Sequence, residues 1–514
     1  MRERTKSILS DLIIFSVILL AIASVVILKP INSLDELWNY NFASNISKGL
    51  VPYKDFNMVQ TPLLPLINSI FLMIFGNELI VMRILACFLC AGNLFMMYKI
   101  LNLFNVNKGI GLFSVITVFY VLKDHFCIDY NFAVLFVLLI IIYIEIKQRM
   151  SIKKLRNINN ELELNRENIS ILNFNIKVDL LLGILAGICI ALKQSTGLII
   201  AIVLIGYNIL MVRSKKDFMI YLKIAGIRTL GVMIPLVLLL IYLLITNSFT
   251  DFWDYCVLGL KTFNNKIPYL KLFDNELDYI KVSCVLMPIL IIALFILAII
   301  KRKDVLLILT SFAIASYSVV YPIADEIHFL IGIFPGFVLL FYSLDILIKT
   351  ITRKEIIEIW LKYFLIFMAT GLTLWYGYEV FPEVKNYFQT EKSDLEHFSN
   401  IIVTDYTYEK IKVIESFEKV QEQTVYILDS EAALFHIPMD IYYKDYDMFL
   451  KGNLGSNGEE GQIESLEEKE NIIVLIKSDG VALNWQNPNK VRDYIKNNME
   501  YVGTVLYFDV YKKD

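Results

Sequence analysis

Charge is scarce in this chain. Asp, Glu, Lys and Arg make up 19% of 514 residues, while hydrophobic residues make up 57% and the mean hydropathy is +0.58. A soluble globular protein carries about 25% charged residues, so that class is excluded. Cysteine is absent beyond Cys284. Cys87, Cys90, Cys189 and Cys284 lie inside apolar runs and Cys127 and Cys256 near run edges, so no disulfide framework is implied. Cys87 and Cys90 form a C-x-x-C, but inside an apolar helix the pair reads as core packing rather than redox or zinc chemistry. No net basic excess exists either, the formal charge being -3, which leaves nucleic-acid binding without support. No internal repeat is evident.

What the chain does have is a series of apolar stretches with sided charges. Arg2, Arg4 and Lys6 precede the run Leu12–Leu28, which continues past a cleavage-like Ala21-Ile22-Ala23 and so reads as an uncleaved first span rather than a signal peptide. The segment Pro62–Phe75 is short for a span and opens on Pro62 and Pro65, so the sequence predicts an interfacial or re-entrant helix inside one large outer loop from Ile31 to Met82. Ten further spans follow, beginning at Arg83, Ile110, Phe132, Val178, Leu198, Ile224, Cys284, Val305, Phe329 and Ile357. With that register every inner connection is basic. Lys147 to Arg166, Arg213 to Lys216, Lys301 to Lys303 and Lys349 to Lys354 all fall on the side of the N-terminus, as the positive-inside trend demands. The expected architecture is a polytopic α-helical membrane protein of about 11 transmembrane helices with a large first outer loop carrying interfacial helices.

After Pro382 the composition turns polar. Tyr408–Glu422 and Lys490–Asn498 read as helices, and Thr424–Leu428, Asn471–Ile476 and Tyr501–Tyr511 as strands, giving a small C-terminal extracytoplasmic α/β domain (382–514) after a transmembrane domain (1–381). Gly452–Glu470, rich in Gly, Ser and Glu, is expected to be a mobile loop.

The residues suited to chemistry collect at the opposite, outer edges. Leu34, Leu37, Trp38, Phe42 and Ile46 have helical spacing, predicting an amphipathic helix in the headgroup layer. Ser33 and Glu36 have capping-box spacing, which gives Glu36 a local duty. Asp35 has none and is left as a free carboxylate, a general-base candidate. Lys193 sits at an outer span end against the positive-inside trend, followed by Gln194. It either snorkels to the headgroups or binds a lipid-linked phosphate, and Arg83 is either the other half of such a clamp or a plain interfacial anchor. Asp124, His125 and Asp129 occupy one short outer turn, and Asp325, Glu326 and His328 another. Either trio is a candidate for a divalent metal or simply a wet turn, since neither matches a strict metal signature. Tyr53, Asp55, Trp253, Tyr255 and Tyr269 either shape a sugar site or anchor loops at the interface.

The stretch from Asp35-Glu36 through Tyr53-Lys54-Asp55 and Thr61-Pro62 to Leu66, followed by Phe75-Gly76 and Arg83, resembles the first outer loop of the GT-C glycosyltransferases of the protein mannosyltransferase and lipid A aminoarabinose transferase type. Asp129-Tyr130-Asn131, Lys193-Gln194-Ser195-Thr196-Gly197 and Tyr321-Pro322 with His328 extend the likeness over roughly the first 380 residues. The resemblance implies transfer of a sugar from a polyprenyl-phosphate donor to an acceptor (a cell-envelope glycan, lipid or protein) on the outer membrane face, with inversion. It puts the catalytic base on Asp35, a second acid on Glu36, donor-phosphate cations on Arg83 and Lys193, and a further outer-face acid on Asp129. Asp55, Gln194 and His328 support them, and a divalent metal held among Asp129, Asp325, Glu326 and His328 is the candidate cofactor. The chain departs from the pattern at Thr61-Pro62-Leu63, where a double proline is commoner, and no His precedes it; the acceptor is thereby left open. The alternative is a lipid-linked glycan transporter or flippase, or a polysaccharide polymerase or ligase. Against transport, ionisable residues lie near span ends and Gly or Pro interruptions show no pairing between halves.

Overall fold

The structure is a computed structural model that describes residues 2–31, 34–161, 172, 174–262, 266–351, 355–390, 392–444, 449–482 and 487–514. Ser33, and with it the capping box, lies outside these residues, as do Arg166, Arg353 and Lys354 of the basic loops.

The membrane part is helical throughout. In chain order come α1 (Arg2–Val26), α2 (Leu34–Ser47), α3 (Leu63–Phe75), α4 (Leu79–Leu103), α5 (Lys108–Leu122), α6 (Tyr130–Glu161), α7 (Ile176–Leu192), α8 (Gln194–Gly206) and α9 (Lys215–Ile245). The short α10 (Phe249–Phe252) precedes α11 (Asp278–Ile300), α12 (Asp304–Tyr317), α13 (Glu326–Gly332), α14 (Phe334–Ile351) and α15 (Glu355–Gln389). Seven helices among the described residues are long and apolar enough to cross a bilayer, eight if α13 and α14, bent by 53°, count as one span. Three other predicted spans, α5, α7 and α12, have 15, 17 and 14 residues, short of the about 20 that cross a hydrocarbon core unaided.

The two ends of the bundle differ. At one end the C-terminal end of α1 meets the tail through Ile31 N–H to the Ile402 carbonyl, and the start of α4 does so through Leu79 N–H to the His397 carbonyl. At the other, the Asp345 carboxylate of α14 takes the Asn107 N–H that precedes α5 (3.1 Å), and Lys349 reaches the Asn105 carbonyl (3.3 Å). Both ends of α3 are held at the first face. Thr61 Oγ1 donates to the Ile190 carbonyl (3.2 Å) and Gln194 Nε2 to that of Val59 (2.9 Å) at its start; Tyr40 OH (2.9 Å) and His397 Nδ1 (2.7 Å) donate to the Asn77 carbonyl just past its end. A 13-residue helix, about 20 Å long, therefore lies along that face and does not cross.

The helix α2 differs from the expectation of a membrane-surface helix. Nine of its residues, from Glu36 to Asn45, are buried, because the tail sits on it: Trp38 Nε1 donates to the Ser430 carbonyl (2.9 Å) and Lys48 pairs with Asp440. The tail holds α16 (Asp405–Lys419), β1 (Thr424–Ile427), α17 (Ala432–His436), α18 (Gly458–Glu467), β2 (Ile472–Lys477), α19 (Asn489–Asn498), β3 (Glu500–Val505) and β4 (Phe508–Lys513). The sheet order is β1-β2-β4-β3, β1 and β2 parallel and the rest antiparallel. Two expectations are corrected here. The Gly452–Glu470 segment contains α18, seated by buried Gln462 and Leu466, with the Ser456 N–H on the Asp254 carboxylate of the segment between α10 and α11. The single strand Tyr501–Tyr511 is a hairpin, because Leu506 turns the chain at φ +54.

Inside the bundle α7 and α9 meet backbone to backbone. A Cβ on Gly183 would lie 2.2 Å from the Arg228 carbonyl oxygen, one on Gly231 2.5 Å from that of Leu180, and one on Gly187 2.5 Å from that of Val232. The small residues of Gly183-x-x-x-Gly187 permit that approach. Beside it Arg228 pairs with Glu145 (2.6 Å) and Asp179 (2.9 Å), a buried triad tying α6, α7 and α9.

Candidate active site

Asp35 lies in the first turn of α2, held on the tail-bearing face. Its side chain keeps partial exposure while Asp129, His328, Asp325 and Lys193 stand close enough for their charges to act on it. These come from four places: α2, the start of α6, the α7–α8 junction and the α12–α13 turn. Burial, then the Asp129 charge, pushes the Asp35 carboxyl up to about 7, against the pull of His328 and Lys193. Asp129, 1% exposed, is also raised, by burial first, with Lys193 the main opposing charge. Burial brings the Lys193 ammonium down to about 8, against the three carboxylates. Three acids and a lysine thus share a poorly solvated spot with the Asp35 carboxyl poised near neutrality.

Geometry fixes the parts. Asp129 Oδ1 accepts the Asn131 N–H (2.7 Å), while its Oδ2 is buried with no hydrogen bond among the described residues. Lys193 Nζ donates to Asn131 Oδ1 (2.6 Å) and lies 5.0 Å from the centroid of the Tyr130 ring. The Asp325 carboxylate caps α13, accepting the His328 N–H (2.9 Å) and lying 2.6 Å from His328 Nδ1. Gln194 braces the first loop through Val59. Asn131 is a member that residue types alone did not single out, although it closes the Asp129-Tyr130-Asn131 motif.

Other predicted residues are placed elsewhere. Arg83 is fully buried and bidentate to Glu36 (2.9 and 3.0 Å), with further contacts to the Lys29 (2.5 Å), Pro30 (3.4 Å) and Ile27 (3.5 Å) carbonyls. Its fork closes the end of α1 onto α2 and α4. Asp55 accepts the Val51 N–H (2.7 Å) and holds a loop turn. The two outer trios are split: Asp129 joins Lys193, while His125 Nε2 faces Glu326 (3.0 Å), which also accepts from Asn275 (3.2 Å). Asp124 is exposed. Tyr53 donates to the Gln60 carbonyl (2.5 Å), Tyr255 takes Asn57 (2.5 Å) and Tyr269 donates to the Cys284 carbonyl (2.5 Å), so these aromatics brace loops, while Trp253 is exposed.

The metal candidates do not assemble. Among the described residues no group of three His, Cys, Asp or Glu side chains is placed to hold an ion. Asp325 is engaged by His328, Glu326 faces His125, and the positive charge beside Asp129 is supplied by Lys193.

No protein-family model and no curated protein matches the sequence. Solved structures do. ArnT from Cupriavidus metallidurans bound to undecaprenyl phosphate superposes with a TM-score of 0.55 at 9% identity, over 98% of this chain and 97% of that one. Its apo state gives 0.55 at 10% over 99% and 98%. The archaeal oligosaccharyltransferase AglB from Archaeoglobus fulgidus, in complex with an inhibitory peptide and a dolichol-phosphate, gives 0.52 at 11% over 98% and 74%. The chain has the GT-C fold. It is a multi-pass membrane protein with a small C-terminal sheet domain, which contacts α2, the helix that carries Asp35, through Ser430 and Trp38.

Proposed function

We propose that this protein is a glycosyltransferase that moves a sugar from a polyprenyl-phosphate donor to an acceptor hydroxyl on a cell-envelope glycan, lipid or protein. Transfer takes place on the outer face, with residues 1–381 as the catalytic membrane domain and 382–514 as its extracytoplasmic cap. The orientation rests on the basic character of the opposite face. The donor class rests on the fold shared with ArnT and AglB, whose structures hold undecaprenyl phosphate and dolichol-phosphate.

The observation that carries the reading is the partly exposed Asp35 carboxyl, raised to about 7 among Asp129, Lys193 and His328. A base at neutral pH needs that value. Asp35 takes the acceptor hydroxyl proton; the acceptor oxygen forms its bond to the anomeric carbon from one side; the bond to the phosphate oxygen breaks on the other and its electron pair leaves with the phosphate, inverting the centre. Lys193 binds that phosphate, its ammonium acting at short range in a poorly solvated site. Asp129 and Asn131 aim Lys193. Arg83 and Glu36 hold α2 in place.

The test is transfer by Asp35→Asn protein, together with mass spectrometry of the lipids that purify with it. Transfer should fall at least about 100-fold while a polyprenyl-phosphate sugar accumulates on the protein. Unchanged turnover removes Asp35 from the mechanism. Movement of an intact lipid-linked glycan across the bilayer without transfer favours transport instead.

A further inference from the structure

At the face opposite Asp35, four cations converge on one cavity. It has a volume of about 730 Å³ and, among the described residues, is lined by Arg149, Lys301, Arg302 and Lys303 against one carboxylate, Asp304. Inner loops of membrane proteins are basic in general, so the charges alone decide nothing. Their setting does. Arg149 is 8% exposed, with Nη2 donating to Asn208 Oδ1 at 3.0 Å, so its position is built rather than loose. Lys301–Lys303 form the tight turn between α11 and α12, closed by Lys303 N–H to the Ala298 carbonyl (2.9 Å). The turn holds Arg302 at φ +51, where glycine is the residue that fits without strain.

The N-terminus of α12 begins at the same place without a side-chain cap, adding the positive end of its dipole. An adjoining hollow of about 250 Å³ shares Arg302 and Lys303 and adds Arg213. Apart from Ser343, the rest of the main cavity is lined largely by apolar surface, with Leu294, Leu297, Leu306 and the ring of Tyr342 among its walls. A soluble anion would use the cations and leave those walls idle; an amphiphile uses both.

We propose that this inner-face cavity binds the phosphate headgroup of a lipid, held between Arg149 and the Lys301–Lys303 turn, with its chain along Leu294, Leu297 and Tyr342. The shared chemistry is a lipid phosphate, supplied either by an anionic bilayer phospholipid or by a polyprenyl phosphate. The inference stands independently of the transfer reaction.

The test is native mass spectrometry of the full-length detergent-solubilised protein titrated separately with phosphatidylglycerol, undecaprenyl phosphate and phosphatidylcholine, with inorganic phosphate as competitor. The variants are the triple Lys301→Gln/Arg302→Gly/Lys303→Gln, single Arg149→Gln, and Lys215→Gln/Lys216→Gln as a control that removes inner-face charge elsewhere. An anionic lipid should bind the wild type in preference to phosphatidylcholine. The triple variant should weaken it about tenfold or more, Arg149→Gln should weaken it too, and the control should not. Loss of phosphatidylglycerol with undecaprenyl phosphate retained names the bilayer lipid as the occupant; the reverse names the carrier. Equal binding of phosphatidylcholine, equal loss in the control, no loss in the triple variant, or displacement by inorganic phosphate at lipid-like concentrations overturns the proposal.

Discussion

In the proposed reaction Asp35 and Lys193 would set opposite limits. Asp35 would act as a base only once its carboxyl, raised to about 7, has lost its proton, and Lys193 would bind phosphate only while its ammonium, lowered to about 8, keeps one. The rate should therefore rise through pH 7 and fall above pH 8, a narrow bell in kcat/KM measured against pH. Lys193→Arg should remove the alkaline limb; a fall that persists there assigns it to another group. Stability carries the opposite sign. A carboxyl raised in the fold disfavours its ionised form, so the cost appears as pH climbs from near the ordinary value of 3.8 to about 7. Asp35→Asn should melt above the wild type at pH 8 and with it at pH 4, and a lower melting temperature at pH 8 contradicts the burial argument.

At the same scale, Arg83 and Glu36 show what residue type cannot reveal. The sequence exposes a cation at an outer span edge but not the three carbonyls and one carboxylate that converge on it. Removing Arg83 alone takes the bidentate cation away from a buried Glu36, so Arg83→Met should destabilise by about 3–5 kcal/mol, and Glu36→Leu added to it should recover part of the loss. A thermal-shift measurement on the two variants decides, and a double variant no better than the single one argues against the pair. Asp35, by contrast, was legible, because it alone in its turn had no local partner to satisfy.

Among elements, each apolar run marked a helix, but α1, α6, α9 and α15 continue well past their runs into polar sequence, because helical hydrogen bonding does not stop where hydropathy does. What hydropathy missed needs a second element to be seen. The α7–α9 contact depends on glycines that face each other only once the two helices are in register, and the α2 surface is covered by a tail that follows hundreds of residues later. Leu506 makes a turn without the Gly or Asn that usually marks one, which is why β3 and β4 read as one strand. The glycine contact is testable: Gly183→Leu must push α7 off the Arg228 carbonyl and loosen Asp179 from Arg228. Its folded yield in detergent should drop sharply, whereas Gly206→Ala, which meets nothing within 4 Å, should match the wild type. Equal yields contradict the close approach.

For the whole molecule, everything turns on which side of the membrane the Asp35 cluster faces. Both ends of α3 are fastened to the tail-bearing face, and the basic turns lie at the other, so one placement in the bilayer satisfies the charge trend and its inverse violates it at every connection. All six cysteines are buried, which leaves a quiet background for single introduced thiols. The decisive measurement is labelling of Ser195→Cys, an exposed neighbour of Lys193, with a membrane-impermeant maleimide on intact cells, against Lys215→Cys as the inner reference. The account predicts that Ser195→Cys labels in intact cells and Lys215→Cys only after permeabilisation; Ser195→Cys labelling solely after permeabilisation would contradict it.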